Sequence, residues 1–234
     1  MSSSEPSVPP HVIRLAPARI TWRLAGIVVA LLALHVVLQT ATYRGADIPW
    51  DLQDLFDLDE EQSVPTWFSA ATLLFSSGLL LAIAGTKRRG GDRDARYWYG
   101  LSAGFAVMSL DEVAGLHELL NSTMSMTWTV PALGLVLAIM FLYARFLLRL
   151  PVATRWLIVV AGVTFVAGAV GVELLTNVLL NRKQLALDTL DYKLLTALEE
   201  GLEMFGSVLF LSAILRYMEA SASRRSKVEI EIRS

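Results

Sequence analysis

Apolar stretches long enough to cross a bilayer alternate along this chain with polar segments of sharply unequal charge. Taking about 20 apolar residues as the length a helix needs to span the hydrocarbon, the pattern predicts six helices, over 20–42, 64–86, 97–120, 128–149, 152–180 and 191–217. Between them the charge alternates. Arg14, Arg19 and Arg23 precede the first helix, Lys87, Arg88, Arg89, Arg93 and Arg96 separate the second and third, Arg145, Arg149 and Arg155 surround the turn between the fourth and fifth, and Arg216, Arg224, Arg225 and Lys227 follow the sixth. Basic residues concentrate on the cytoplasmic side of a membrane, so these four segments are expected inside, with both termini cytoplasmic.

The remaining connections read as external. Segment 43–63 carries Asp47, Asp51, Asp54, Asp57, Asp59, Glu60 and Glu61; 121–127 has no charge; and 181–190 holds only Arg182, Lys183 and Asp188. Trp22, Trp50, Trp67, Trp98, Trp128 and Trp156 fall near the predicted span ends, where an interfacial aromatic belt belongs. Trp50, Leu52, Leu55, Phe56 and Leu58 suggest a short amphipathic helix on the outer surface, and Ser63 before Pro65 reads as a helix start. The acids of 43–63 read as a solvated loop. The run Gly26–Leu38 after three arginines resembles a signal peptide, but its long leading tail and the lack of a small-x-small cleavage site favour a retained helix.

The expected organisation is therefore an all-α, polytopic integral membrane protein of six transmembrane helices. A cytoplasmic tail (1–19, its Ser- and Pro-rich start disordered) leads into a membrane domain (20–217) with an acidic outer loop (43–63), and a second cytoplasmic tail (218–234) closes the chain. Composition agrees: 54% of the 234 residues are hydrophobic and 18% charged, with a mean hydropathy of +0.52. A net charge of −2 gives no reason to expect a nucleic-acid partner. Having no cysteine, the chain cannot form disulfides, thiolate metal sites or a cysteine nucleophile. The expected location is a bacterial-type inner membrane.

Acids inside the apolar segments change this picture most. A carboxylate facing lipid costs roughly 2.5–3.5 kcal/mol even on the lenient insertion scale, so several in one small protein should share a protein-lined site. At 100° per residue, Asp111 and Glu118 align on the third helix with Gly104, Met108 and Gly115, and Glu112 stands a quarter turn away. Gly162, Ala169, Glu173 and Asn177 form a stripe on the fifth helix; Thr196, Glu199, Glu200, Glu203, Gly206 and Ser207 form an arc on the sixth. Counted from the outer span ends, Asp111, Glu173 and Glu200 lie at one level, roughly 10–14 Å deep.

With no Lys or Arg expected at that level, bound cations or protons must relieve the repulsion. Divalent metal ions are the expected cofactor, with Asp111, His117, Glu118, Glu173, Glu199 and Glu203 as ligand candidates and Glu112 or Glu200 as a general base. His35 reads as a hydrogen-bonded packing residue, and Met108, Met124, Met126 and Met204 as packing or loop residues. Only three histidines are present, so the three-histidine zinc pattern of intramembrane ceramidase-like hydrolases cannot be assembled within the membrane. The leading expectation is a metal-dependent membrane enzyme, a hydrolase or oxidase acting on a lipid or another apolar substrate. The alternatives are a divalent-cation or proton-coupled transporter and a non-catalytic subunit or assembly factor of a larger membrane complex.

Overall fold

The computed structural model describes residues 16–116 and 129–233, with side chains to 222. Everything described is helix or connection: α1 (Pro17–Tyr43), α2 (Trp50–Phe56), α3 (Val64–Arg89), α4 (Ala95–Ala114), α5 (Thr129–Arg149), α6 (Val152–Val166), a π-helical turn (Ala167–Val172), α7 (Glu173–Asn181) and α8 (Leu190–Arg233). Four of them, α1, α3, α5 and the continuous 152–181 rod, are long and apolar enough to cross a membrane. The other two rods, α4 and α8, each carry two or more carboxylates, and the 152–181 rod carries Glu173.

Local sequence sets the boundaries. Ser63 caps α3, its Oγ accepting the Thr66 N–H at 3.3 Å, with Pro65 in the first turn where its missing N–H costs nothing. At the other end of α3, Lys87, Arg88 and Arg89 complement the helix dipole. Lys87 Nζ donates to Asp92 at 2.8 Å, and that bond, with the Asp94 N–H, holds the Asp92 carboxyl below its usual range. Two expected boundaries move: α8 runs on as helix to Arg233, well past the expected 217, and α4 is shorter. α4 stops at Ala114, not near 120, because Gly115 turns left-handed at φ 55° and its N–H closes on the Asp111 carbonyl.

Neighbouring rods run antiparallel. Ser77 and Ser102 exchange hydroxyl hydrogen bonds between α3 and α4, and Ser109 Oγ donates to the Ala70 carbonyl at 2.8 Å further along. On α5, the Tyr143 hydroxyl donates to the Tyr97 carbonyl and Arg149 pairs with Asp94 at 3.1 Å. Phe105 stacks on Phe210 at 4.2 Å, and Trp98 packs between Phe146 and Tyr217. These pairings give the bundle a basic end, with Arg19, Lys87, Arg88, Arg89, Arg149 and Arg216, and an acidic end around 47–61. Trp98, only 1% exposed, belongs to the core at the basic end and is no belt residue, whereas Trp22, Trp50, Trp67 and Trp156 are exposed as a belt requires. Trp128 lies outside the described residues.

α8 is the central helix, buried nearly all round from Val208 to Leu215. Its neighbours come close because of glycine. A methyl group at Gly206 would stand 2.7 Å from the Phe165 backbone nitrogen of α6, and one at Gly201 would stand 3.1 Å from Leu32 of α1. Gly206→Ala should therefore push α6 off α8 and cost about 1–3 kcal/mol. Gly104→Ala, where the added methyl meets nothing within 4 Å, should be neutral or slightly stabilising. Thermal unfolding in detergent micelles measures both, and equal melting temperatures would remove the close-approach account.

Candidate functional site

Glu203 lies within electrostatic reach of several of the predicted acids: the charges of Glu200, Glu112, Glu199 and Glu173, carried by α8, α4 and α7, act on it. Gly168 makes this possible. In the π-helical turn its α-carbon sits so close to α8 that a methyl would meet the Glu199 carbonyl at 2.6 Å and the Glu203 side chain at 3.0 Å. Glu173 follows immediately after that turn. Its neighbour one turn on, Thr176, is buried and its hydroxyl has no hydrogen-bond partner among the described residues.

The faces differ from those expected at two places. On α4 the buried stripe is Trp98, Ser102 and Ser109, which continues to Glu112, so Glu112 is the α4 carboxyl acting on Glu203. The glycine pattern misleads here: Gly104 is exposed, and serine hydrogen bonds to α3 set the inward face. On the fifth rod the buried stripe runs through Thr154, Ile158, Ala161, Gly168, Val172 and Thr176, while Gly162 is exposed. A π turn holds one residue more than an α turn, so it shifts the phase of everything after it, which a constant 100° step cannot foresee.

Asp111, Glu112, Glu173, Glu199 and Glu200 are each half-buried and engaged in polar or electrostatic interactions. Asp111 lies one turn from the end of α4, nearer the acidic end than the 10–14 Å depth expected of it. His117 and Glu118 lie outside the described residues. Among the described residues, no three His, Asp or Glu side chains stand together as a metal-binding set.

A second polar assembly is one the sequence reading does not anticipate. Asp57 is buried, and its carboxylate accepts from Gln39 Nε2 at 2.9 Å, Lys193 Nζ at 2.8 Å and the Asp59 N–H at 3.0 Å. Lys193 also reaches Asp59 at 3.0 Å, and the Tyr192 hydroxyl donates to Asp59 at 3.4 Å. His35, expected to be a packing residue, is one: Nδ1 accepts the Leu58 N–H at 3.2 Å and Nε2 faces the Lys193 carbonyl at 3.3 Å, which a neutral ring protonated at Nε2 satisfies. Of the acids read as a solvated loop, Asp47, Asp51, Asp54, Asp59 and Glu60 are exposed as expected, whereas Asp57 is buried and makes the stretch from Asp57 to Ser63 a strap tied to α1 and α8. The signal for it was Lys193 itself, one turn ahead of Thr196 on the polar arc of the last helix.

Residues 23–218 match the family described as a domain of unknown function (DUF8692). The chain belongs to that family. Neither a curated protein nor a solved structure matches it significantly. The matched range takes in the strap, the acids around Glu203 and α2 to α7 whole, with most of α1 and the Leu190–Met218 part of α8.

Two outcomes follow for the strap. Lys193→Met leaves Asp57 as a buried, unpaired charge and should cost about 3 kcal/mol, while Asp57→Asn combined with it should recover most of that loss; micelle unfolding of the single and double variants measures the difference. Burial, and then the charges of Asp54 and Asp57, raise the Glu60 carboxyl above its ordinary range. A carboxyl raised by folding adds stability at low pH that is lost as the pH climbs through the raised value. Glu60→Gln should therefore melt less pH-dependently than the parent across mildly acidic pH, by a small margin because Glu60 is exposed. An unchanged pH profile would show that the strap does not feel this charge.

Proposed function

We propose that this chain is a six-span protein of a bacterial-type inner membrane, with both termini cytoplasmic, and that the carboxylates around Glu203 hold a divalent cation for chemistry on a lipid or apolar substrate. The observation that carries the reading is the convergence of Glu112, Glu173, Glu199 and Glu200 on Glu203 from three helices. Like charges held together in an apolar bundle repel, and a cation is the simplest group that turns this repulsion into attraction. The partnerless Thr176 hydroxyl one turn from Glu173 offers a further oxygen. The basic and acidic ends of the bundle support the orientation.

In this reading Glu173, Glu199 and Glu203 are ligands, joined by Asp111, His117 or Glu118 as the ion requires, and Glu112 or Glu200 serves as general base. A zinc or magnesium ion would suit hydrolysis, and a pair of iron or manganese ions oxidation. A second reading has its own support. Since no three described side chains already stand as a ligand set, the acids could instead share protons, the arrangement a proton-coupled transporter needs.

Elemental analysis separates the two. Protein purified without chelator should carry a stoichiometric divalent metal, and Glu203→Gln or Glu173→Gln should lose it while still inserting and folding, because the amide keeps the size but removes the anionic ligand. Metal-free native protein with equally stable Gln variants would sink the metal reading in favour of shared protons.

A further inference from the structure

The strap from Asp57 to Ser63 lies across the acidic end of the bundle, touching the helices that surround the carboxylates. It begins on α1, where the Leu58 N–H is held by His35 and Asp57 by Gln39. Lys193 and Tyr192 of α8 grip Asp57 and Asp59 from the side. At its far end the Glu61 carboxylate lies directly against Gly115, the left-handed residue that ends α4 one turn beyond Glu112. Ser63 and Thr66 then fix it to α3, with Thr66 Oγ1 donating to the Glu60 carbonyl at 2.9 Å. Leu58 beneath it is 4% exposed and joins the apolar cluster of Val28, Leu31, Ala197, Met204 and Val208. The strap therefore bridges α1, α8 and α4 above the level at which Thr196, Glu200 and Glu203 follow Lys193 along α8.

We propose that Asp57–Ser63 is a lid closing the acidic end of the bundle between α1, α4 and α8, and that Lys193 is its latch. The proposal rests on the carboxylate-site reading only for what the lid guards; the closure itself does not depend on metal. Lys193 is 18% exposed at its side chain and Asp59 34%, so water reaches one side of the pair and Asp57 lies on the other. Opening exchanges the two ion pairs of Lys193 for water and also releases the Gln39–Asp57 and His35–Leu58 hydrogen bonds. Leu58 would leave the apolar cluster as the strap swings about the α3 start.

The absence of cysteine makes closure measurable. Thr196→Cys places one thiol on the buried face of α8, a turn below the latch, and Asp188→Cys places another in the exposed connection at the same end. Each is introduced alone into the full chain in lipid nanodiscs and labelled with a charged maleimide. The buried thiol of Thr196→Cys should react slowly in the otherwise native chain and at least tenfold faster when Asp57→Asn and Lys193→Met are combined, a pair that removes the latch without stranding a charge. The exposed thiol of Asp188→Cys should label at the same rate in both backgrounds. Asp59→Asn, which removes one ion pair and leaves Asp57 bound, should give a smaller acceleration and covers the case in which the double variant misfolds. Equal labelling of the buried thiol with and without the latch in folded protein would overturn the proposal, as would its rapid labelling in the native background. Because labelling needs no metal, a failed metal assay with an accelerated buried thiol leaves the lid standing, and the reverse result leaves the cation site standing without it.

Discussion

The close approach of the fifth rod to α8 is the constraint on which the rest of the bundle depends. Backbone meets backbone at Gly206 against Phe165, and at Gly168 against Glu199, so no side chain larger than hydrogen fits at either crossing. In a bilayer there is little hydrophobic gain from bringing two apolar helices together, and tight van der Waals contact at small residues supplies the attraction instead. Once the two rods are that close, Glu173 cannot avoid the carboxylates of α8. The convergence of acids is thus a consequence of glycine placement as much as of the acids themselves.

Two polar assemblies stacked along one end of α8 handle charge in opposite ways. The outer one is neutralised internally: two aspartates meet one lysine, with Gln39 and backbone N–H groups filling the remaining acceptor positions of Asp57. With its members satisfied, such a network favours one geometry. In the deeper one, the charges with the largest effect on Glu203 are those of other glutamates.

The all-helical architecture and several helix limits were legible because hydrophobic length is a one-dimensional signal. The start of α3 at Ser63, the turn at Pro151 and the extent of 152–180 could each be read within a residue or two. The acids within the apolar segments stood out in the sequence because such residues are rare there. What was not legible depended on three-dimensional choices. Gly104 and Gly162 have the composition of packing positions but face outward, because serine hydrogen bonds and a π turn, invisible to a periodic reading, choose the inward face. The burial of Asp57 required knowing that Lys193, well over a hundred residues away in sequence, would meet it.

The six-residue π turn also makes the fifth rod an adjustable screw. Its two ends are held by different partners: Ala161 and Phe165 are seated on one side of it, Thr176 on the other. Gaining or losing a single residue in Ala167–Val172 would rotate the Glu173 half by about 100° relative to the Phe165 half. Sequence length within this turn, and not the identity of any one side chain, decides whether the carboxylate points at α8 or away from it. Relatives of this chain should therefore be compared by the number of residues between the positions of Phe165 and Glu173 before their acids are aligned.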